Sequence, residues 1–298
     1  MNTNTPPASP KPGDSYVQSF ARGLEVIRSF SATAPQQTLS EVAAQTGLTR
    51  AGARRILLTL QTLGYVESDG RLFRLTPRIL DLGFAYLSSM PIWDLAEPVM
   101  EALVEQVRES CSAAVLDGLD IVYVLRLPTH KIMRTNLGVG SRLPAPWTSM
   151  GRVLLAGLPD EELVARLQGL NPQRFTQHTT VAVATLLERI RQARTQGWFL
   201  INQELEEGLI SIAAPLTNRA GQTVAALNIS GQANRTSAEV MQATMLPALL
   251  KAARTAYSRC LPKQFNSCEN PAPAPRPPAQ WRPGSATGAH SPIPCLSR

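Results

Sequence analysis

Residues 47–57 read GLTRAGARRIL, with three arginines and an internal glycine in a stretch whose other side chains are those of a packed helix. Gly47 is the residue type that takes a left-handed φ where a helix stops, and Thr49 has the hydroxyl that caps the next one. Beyond it Ala53, Ile56, Leu57, Leu60 and Leu63 fall on one stripe and face a core. Arg54 and Arg55 fall off that stripe, and Arg50 lies at its edge in the first turn. Just upstream, LSEVAAQTG (39–47) predicts a short helix with Leu39, Val42 and Ala43 inward. Ala43 and Gly47 supply the small residue and the turn glycine that two closely crossing helices require.

Working outward, Phe20, Leu24, Ile27 and Phe30 recur at helical spacing and predict an amphipathic first helix over 16–31, after which Pro35 breaks the pattern. Downstream, YVESDGRLFRL (65–75) consists of two alternating runs around Asp69-Gly70, a hairpin-turn dipeptide. Helix, helix, turn, helix, hairpin is a winged helix-turn-helix. Arg71 and Arg74 are expected on the returning strand of the wing. Between Arg50 and Arg78 six arginines stand against Glu67 and Asp69, with no lysine, and arginine suits phosphates and guanine edges. Thr49, Arg50, Arg54 and Arg55 are therefore candidate major-groove or flanking phosphate contacts, and Arg71 and Arg74 candidate contacts to backbone or minor groove. The competing reading is a winged protein-interaction domain whose arginines are solvated surface.

The chain has 298 residues, 44% hydrophobic and 17% charged, enough for two ordinary domains with buried cores. No apolar run reaches the length of a membrane span, and residues 1–15 lack an apolar signal core, which points to the cytoplasm and to no membrane partner. Cys111, Cys260, Cys268 and Cys295 show no CxxC spacing and only three histidines occur, so no metal site, disulfide framework or cofactor is expected. The net charge of +7 is concentrated toward the two ends of the chain. From residue 261 onward nine prolines, including PAPAPRPP, predict disorder, as does the composition of 1–15.

Between these limits, residues 78–90 predict a helix (Ile79, Leu82, Gly83, Tyr86), interrupted at Pro91, and 92–109 a further one (Leu95, Val99, Leu103, Val107) leading into a second domain. There SAAVLDGLDIVYVLRL (112–127) predicts two strands around Gly118, and HKIMRTNLGVG (130–140) a third. Thr148 is placed to cap a helix to about Gly157, and VATLLERIRQARTQG (183–197) is a second helix. WFLINQ, LISIAAPL and TVAALNIS predict three more strands, with a turn over 218–221, and a helix over 238–259 closes the domain. Helices and mixed strands around one sheet suggest a sensor module of the GAF or profilin type. The expected fold is thus α+β, with a disordered 1–15, a winged helix-turn-helix at 16–78, linker helices at 79–109, an α/β effector-binding domain at 110–260 and a disordered tail at 261–298.

SYVQSFARGLEVIRSF followed by LSEVAAQTGLTRAGARRILLTLQTLGYV resembles the amino-terminal domain of IclR-type transcriptional regulators. PAPWTSMGRVLLAGL, GWFLINQELEEGLISIAAPL and GQTVAALNISG resemble their effector-binding domain, so that the likeness covers about 16–261. The opening motif and RLPAPWTSMGRVLLA are most similar to the branch that controls bacterial aromatic-acid catabolism, the β-ketoadipate pathway. The resemblance implies a homodimer or dimer of dimers that binds double-stranded DNA at a palindromic operator, responds to a small organic acid and acts on polymerase recruitment or on DNA affinity. It further implies that Ser149 and Met150 meet the ligand carboxylate through their amides, with Gly151 permitting close approach, and that Ile201, Asn202, Ser211, Asn228 and Ser230 line the pocket. Some members carry an acidic residue at Ile201 and a cysteine at Ser211, which implies a different ligand chemistry here.

From the residues themselves, a helix amino terminus presents free N–H groups to an anion, although Thr148 and Ser149 would also cap any surface helix. Asn228 and Ser230 have the spacing that puts both on one sheet face. Arg134 and Arg142 flank the turn before TSMGR, and either suits a carboxylate, unless it is an ordinary solvated strand residue. Two other classes compete. A hydrolase is disfavoured because Ser149 lies in neither GxSxG nor SxxK and neither His130 nor His178 has an acidic partner at motif spacing, while Glu204, Glu206 and Glu207 read as a solvated turn. A ligand-independent architectural DNA binder is disfavoured by the size of the second domain.

Overall fold

The computed structural model describes residues 16–89, 92–129, 137–218 and 220–259. The amino-terminal part is α1 (Gln18–Ser29), β1 (Gln36–Thr38), α2 (Leu39–Thr46), α3 (Arg50–Thr62), β2 (Val66–Ser68) and β3 (Leu72–Leu75). Val26, Val42, Ala43, Ala53, Leu57, Leu60 and Val66 form its core. Local chemistry sets each boundary. Thr38 and Glu41 form a reciprocal capping box at the start of α2, Gly47 ends it at φ 65°, and the Thr49 hydroxyl accepts from the Gly52 amide to start α3. A Cβ on Gly52 would lie 3.2 Å from that hydroxyl, so the glycine leaves the cap room to close.

Three expectations change. The wing has three strands in the order β1-β3-β2, because residues 36–38 pair antiparallel with β3. That strand carries no alternation, being only three residues long. Phe20 and Leu63 are exposed at 68% and 51%, and Val26 takes the core position on α1. Arg71 lies in the turn before β3 rather than on it.

A short 3-10 turn (Pro77–Ile79) leads into α4 (Leu80–Ser88), which has no buried residue although its sequence is apolar. Next come α5 (Ile92–Val107), β4 (Ser110–Asp117), β5 (Asp120–Leu127), β6 (Arg142–Pro144), α6 (Ser149–Ala156), α7 (Asp160–Gln168), α8 (Val183–Gln196), β7 (Phe199–Asn202), β8 (Leu209–Thr217) and β9 (Thr223–Gln232). The chain closes with an unbroken helical run over 238–259, as expected, made of α9 (Ala238–Val240), a π bulge (Met241–Met245) and α10 (Leu246–Arg259).

The six strands form one sheet in the order β6-β5-β4-β9-β8-β7, with every pairing antiparallel rather than mixed. On one face α5 and α10 bury Met100, Leu103 and Leu249 against Ile212, Leu227 and Ile229. On the other, α6, α7 and α8 bury Met150, Leu154, Leu163 and Ile190 against Ile121, Ala213 and Ala226. Period-two alternation in β8 and β9 serves both faces, which is why these strands are apolar almost throughout. Most of the third strand expected at 130–140 lies outside the described residues; its described end forms a turn that hands the chain to β6.

Every residue of α6 is buried. Its first turn can sit this deep only because Gly151 has no side chain: a Cβ there would run into the carbonyl and Cα of Ala145. What approaches Gly151 is thus the protein's own backbone, not a ligand. Gly151→Ala should therefore lower stability by about 3 kcal/mol or more, read as a fall in thermal midpoint, whereas a free face at this position would leave the midpoint within a degree or two of wild type.

Candidate functional site

The first candidate site is the solvent face of α3. Thr49, Arg50, Arg54 and Arg55 are exposed while Ala53, Leu57 and Leu60 anchor the opposite side, so the helix is held by its core stripe and presents its guanidinium groups outward. On the wing, Asp69 accepts from the Arg71 and Leu72 amides and closes the turn, leaving the Arg71 side chain exposed. Arg74 lies opposite Glu67 across β2 and β3 and donates to it at 2.6 Å, which shares out part of its charge. Arg78 sits over the Tyr65 ring at 5.5 Å and fastens the wing to the following turn. The six arginines thus separate into those that face solvent freely and those engaged within the fold.

The second candidate site is a cavity of about 50 Å³ between the first turn of α6 and the sheet. Thr148 caps α6 by accepting from the Gly151 amide at 2.9 Å, while helix geometry leaves the Ser149 and Met150 amides without an intrahelical acceptor. Below them runs a row of buried polar groups from three adjacent strands, Ser112 on β4, Asn228 and Ser230 on β9 and Ser211 on β8. The Ser149 and Ser211 hydroxyls lie 2.8 Å apart. The Asn228 amide donates to Ser211 at 3.0 Å and to Ser230 at 2.8 Å, and its carbonyl oxygen accepts from the Ser112 backbone at 3.1 Å. Leu137, Leu143, Met150, Ile201, Leu205 and Leu209 supply apolar walls.

Two further residues of this cavity were missed in the sequence, and one irregularity explains both. Tyr123 pairs with Ala114, but Arg126 pairs with Ser112 and Leu125 with Ala113, so Val124 is an extra residue in β5. This bulge breaks the alternation and brings Tyr123 and Arg126 to the same face, three residues apart. Arg126 then reaches the Ser112 hydroxyl at 3.4 Å and lines the cavity with no carboxylate paired to it among the described residues. Burial pushes the Tyr123 phenol up to about 12, so it stays a neutral hydroxyl.

Of the predicted pocket residues, Ser149, Met150, Ile201, Ser211, Asn228 and Ser230 come together here. Asn202 does not: it follows inward Ile201 on β7, so the pleat turns it out to solvent. Arg142 is also elsewhere, paired on the surface with Asp117 at 2.7 Å and Asp120 at 3.2 Å. Arg134 lies outside the described residues, as does His130.

Glu204, read as part of a solvated turn, is 5% exposed and accepts both terminal nitrogens of the fully buried Arg152, at 2.7 and 2.6 Å. Glu206 and Glu207 remain exposed as expected.

The sequence matches the family described as "Bacterial transcriptional regulator IclR C-terminal" over residues 84–258, and the "IclR helix-turn-helix domain" over 19–70. The chain belongs to the IclR family. It is 41% identical to the Pca regulon regulatory protein of Pseudomonas putida over 240 residues, 80% of this chain and 82% of that one. A crystal structure from Rhodococcus sp. RHA1 shares 50% identity at a TM-score of 0.75, covering 82% of this chain and 98% of its own. The inducer-binding domain of a PobR double mutant from Acinetobacter, in complex with 3-hydroxybenzoic acid, shares 32% identity at a TM-score of 0.51, over 54% of this chain and 94% of that one. An IclR-type transcriptional regulator with a DNA-binding helix-turn-helix and an α/β sensor domain is therefore what the winged helix and the buried cavity belong to. No helix among the described residues is long and apolar enough to cross a membrane.

In this IclR-family regulator the Arg152–Glu204 pair sets an acid limit on stability. Burial raises the Glu204 carboxyl, but the hydrogen bonds and charge of Arg152 outweigh it and hold the group below its ordinary 4.5. A carboxyl lowered in the fold contributes stability above its unfolded value and loses it as pH falls through the folded one. Glu204→Gln strands a buried guanidinium and should cost about 3 kcal/mol at neutral pH. That deficit should shrink below pH 4.5, as wild type protonates Glu204 and converges on the variant; denaturant melts across pH 3–7 test this, and a pH-independent deficit would contradict it.

Proposed function

We propose that this regulator senses a small aromatic carboxylic acid in the cavity beneath α6 and binds a palindromic operator through paired winged helices. The observation that carries the effector half is that two helix-terminal residues whose amides have no intrahelical acceptor, and an arginine with no carboxylate paired to it among the described residues, line one cavity. Ser149 and Met150 offer N–H groups and partial positive charge to an anion, Arg126 adds a full charge with bidentate geometry, and Leu137, Leu143 and Ile201 suit a ring. The name of the Pseudomonas putida relative and the hydroxybenzoate in the Acinetobacter domain support the same class of ligand. Ser211, Asn228 and Ser230 would orient its remaining polar substituents.

For DNA, Arg50, Arg54 and Arg55 on α3 would enter the major groove or meet flanking phosphates, with Thr49 at the helix start, and Arg71 would reach the backbone beside it. Arg74 contributes less, because Glu67 holds it. Pairing of two copies is supported by exposed apolar side chains on α4 at Leu80 and Phe84 and on α1 at Phe20.

Two measurements test this reading. Calorimetry with benzoate, 3-hydroxybenzoate and 4-hydroxybenzoate should show binding by wild type, and Arg126→Ala and Asn228→Ala should each raise the Kd about tenfold or more. Arg142→Ala, outside the cavity, should leave it unchanged; wild-type affinity in both cavity variants would place the effector elsewhere. Footprinting upstream of the protein's own gene and its neighbours should give two half-sites related by two-fold symmetry. On that DNA, Arg54→Ala and Arg71→Ala should each reduce the slope of log affinity against log salt by about one, and Arg74→Ala by less.

A further inference from the structure

The lip of the cavity is the loop between β7 and β8, which supplies Leu205 and Glu206. It is an unusual loop to hold in place. Gln203 takes a left-handed φ of 59° without being glycine, and its side-chain oxygen accepts from the Gly208 amide at 3.0 Å to close the turn. Inside it, Glu204 points away from the cavity into the protein. There it meets Arg152, which also donates its Nε to the Pro146 carbonyl at 2.9 Å and stacks over Phe199 at 4.8 Å. Arg189 from α8 reaches the same carboxylate at 3.2 Å, and the Thr180 amide at 3.3 Å.

Arg152 therefore joins three things around the cavity without itself lining it: the turn before α6, the first turn of α6 itself, and the lip. We propose that the Arg152–Glu204 pair is a positioning element for the effector, holding Leu205 and Glu206 over a ligand seated at the first turn of α6. This rests on the effector reading above. A loop in strained backbone drifts outward when its internal anchor is lost, and the cavity then opens on its lip side while its floor of strands stays as it is. The affinity of the site thus depends on two charges that no ligand touches, and the loss appears in the off-rate, because entry past a looser lip is not slowed.

The test uses the full chain with Arg152→Lys, which keeps the charge but not the fork, and Arg189→Ala, which removes only the outer, half-exposed partner and strands no buried charge. Hydrogen exchange without ligand should show the Gln203 and Gly208 amides exchanging on the order of tenfold faster in Arg152→Lys, and a smaller rise in Arg189→Ala, with α6 amides unchanged. Stopped-flow release of 3-hydroxybenzoate should be faster on the order of tenfold in Arg152→Lys and a few-fold in Arg189→Ala, with the on-rate unchanged. Arg191→Ala, on the same helix but paired with Asp160, should match wild type in both. Unchanged exchange in both variants overturns the anchor. Faster exchange with wild-type release overturns its role in holding the ligand. Should wild type take up none of the acids, the effector reading fails, and the exchange arm still decides the anchor.

Discussion

A guanidinium with no access to water must be given an anion by the fold, and Arg152 is given Glu204 through two parallel hydrogen bonds. The desolvation of two charges consumes most of what their attraction returns, so the pair is a poor source of stability compared with apolar packing of the same volume. What it supplies is geometry. With Nε committed to Pro146, the fork has one productive orientation, and any departure of α6 or of the β7–β8 loop from its place leaves a charge unsatisfied. Thr176 and Thr179 extend the constraint by donating to the Gln203 and Glu204 carbonyls, so the loop is fixed along its inner edge as well as at its centre.

The sheet beneath is built for contrast between its faces. Toward α5 and α10 its buried core is apolar, with Ile212, Leu227 and Ile229 at the centre, and toward α6 Ile121, Ala213 and Ala226 make an apolar end. At the other end Ser112, Ser211, Asn228 and Ser230 replace aliphatic side chains, and the helix above them stops short at Ser149. A polar row under a helix terminus is expensive to bury unless its members satisfy one another, and they do so through Asn228, which donates to two hydroxyls and accepts from one amide. Hydroxyl protons rotate freely, so this row can exchange internal bonds for bonds to a ligand without moving heavy atoms.

Much of this was legible in the sequence wherever a single residue type has a single local use. Gly47, Thr49, Asp69-Gly70, Gly118 and Thr148 each mark a boundary through their own backbone or hydroxyl chemistry, and the boundaries stand where those residues predict them. The i, i+2 spacing of Asn228 and Ser230 likewise placed both on one face. What could not be read was anything fixed by a partner remote in sequence. Arg126 enters the cavity because Val124 bulges against β4, and a bulge depends on the register of two strands rather than on either alone. Glu204 looked like a turn residue among acidic neighbours because its partner lies 52 positions away. Asn202 failed for the opposite reason: motif likeness carried it into the pocket, whereas strict alternation from Ile201 would have excluded it.

The same distinction between local and remote constraint governs the surface proposed to meet DNA. On α3 the core stripe alone determines which residues face outward, so Arg50, Arg54 and Arg55 are free by virtue of their position in the helix. On the wing, strand pairing brings Glu67 beside Arg74, and the turn that follows brings Arg78 onto Tyr65. Three arginines on α3 and three from the wing tip to the turn after it therefore do not present equal charge. A surface that meets a polyanion through unengaged guanidinium groups on the helix and one on the wing tip loses little side-chain bonding on contact, because Arg50, Arg54, Arg55 and Arg71 have no carboxylate partner among the described residues to give up. Arg74 would have to exchange one ion pair for another and Arg78 to leave the Tyr65 ring, so their net contribution to such binding would be correspondingly small.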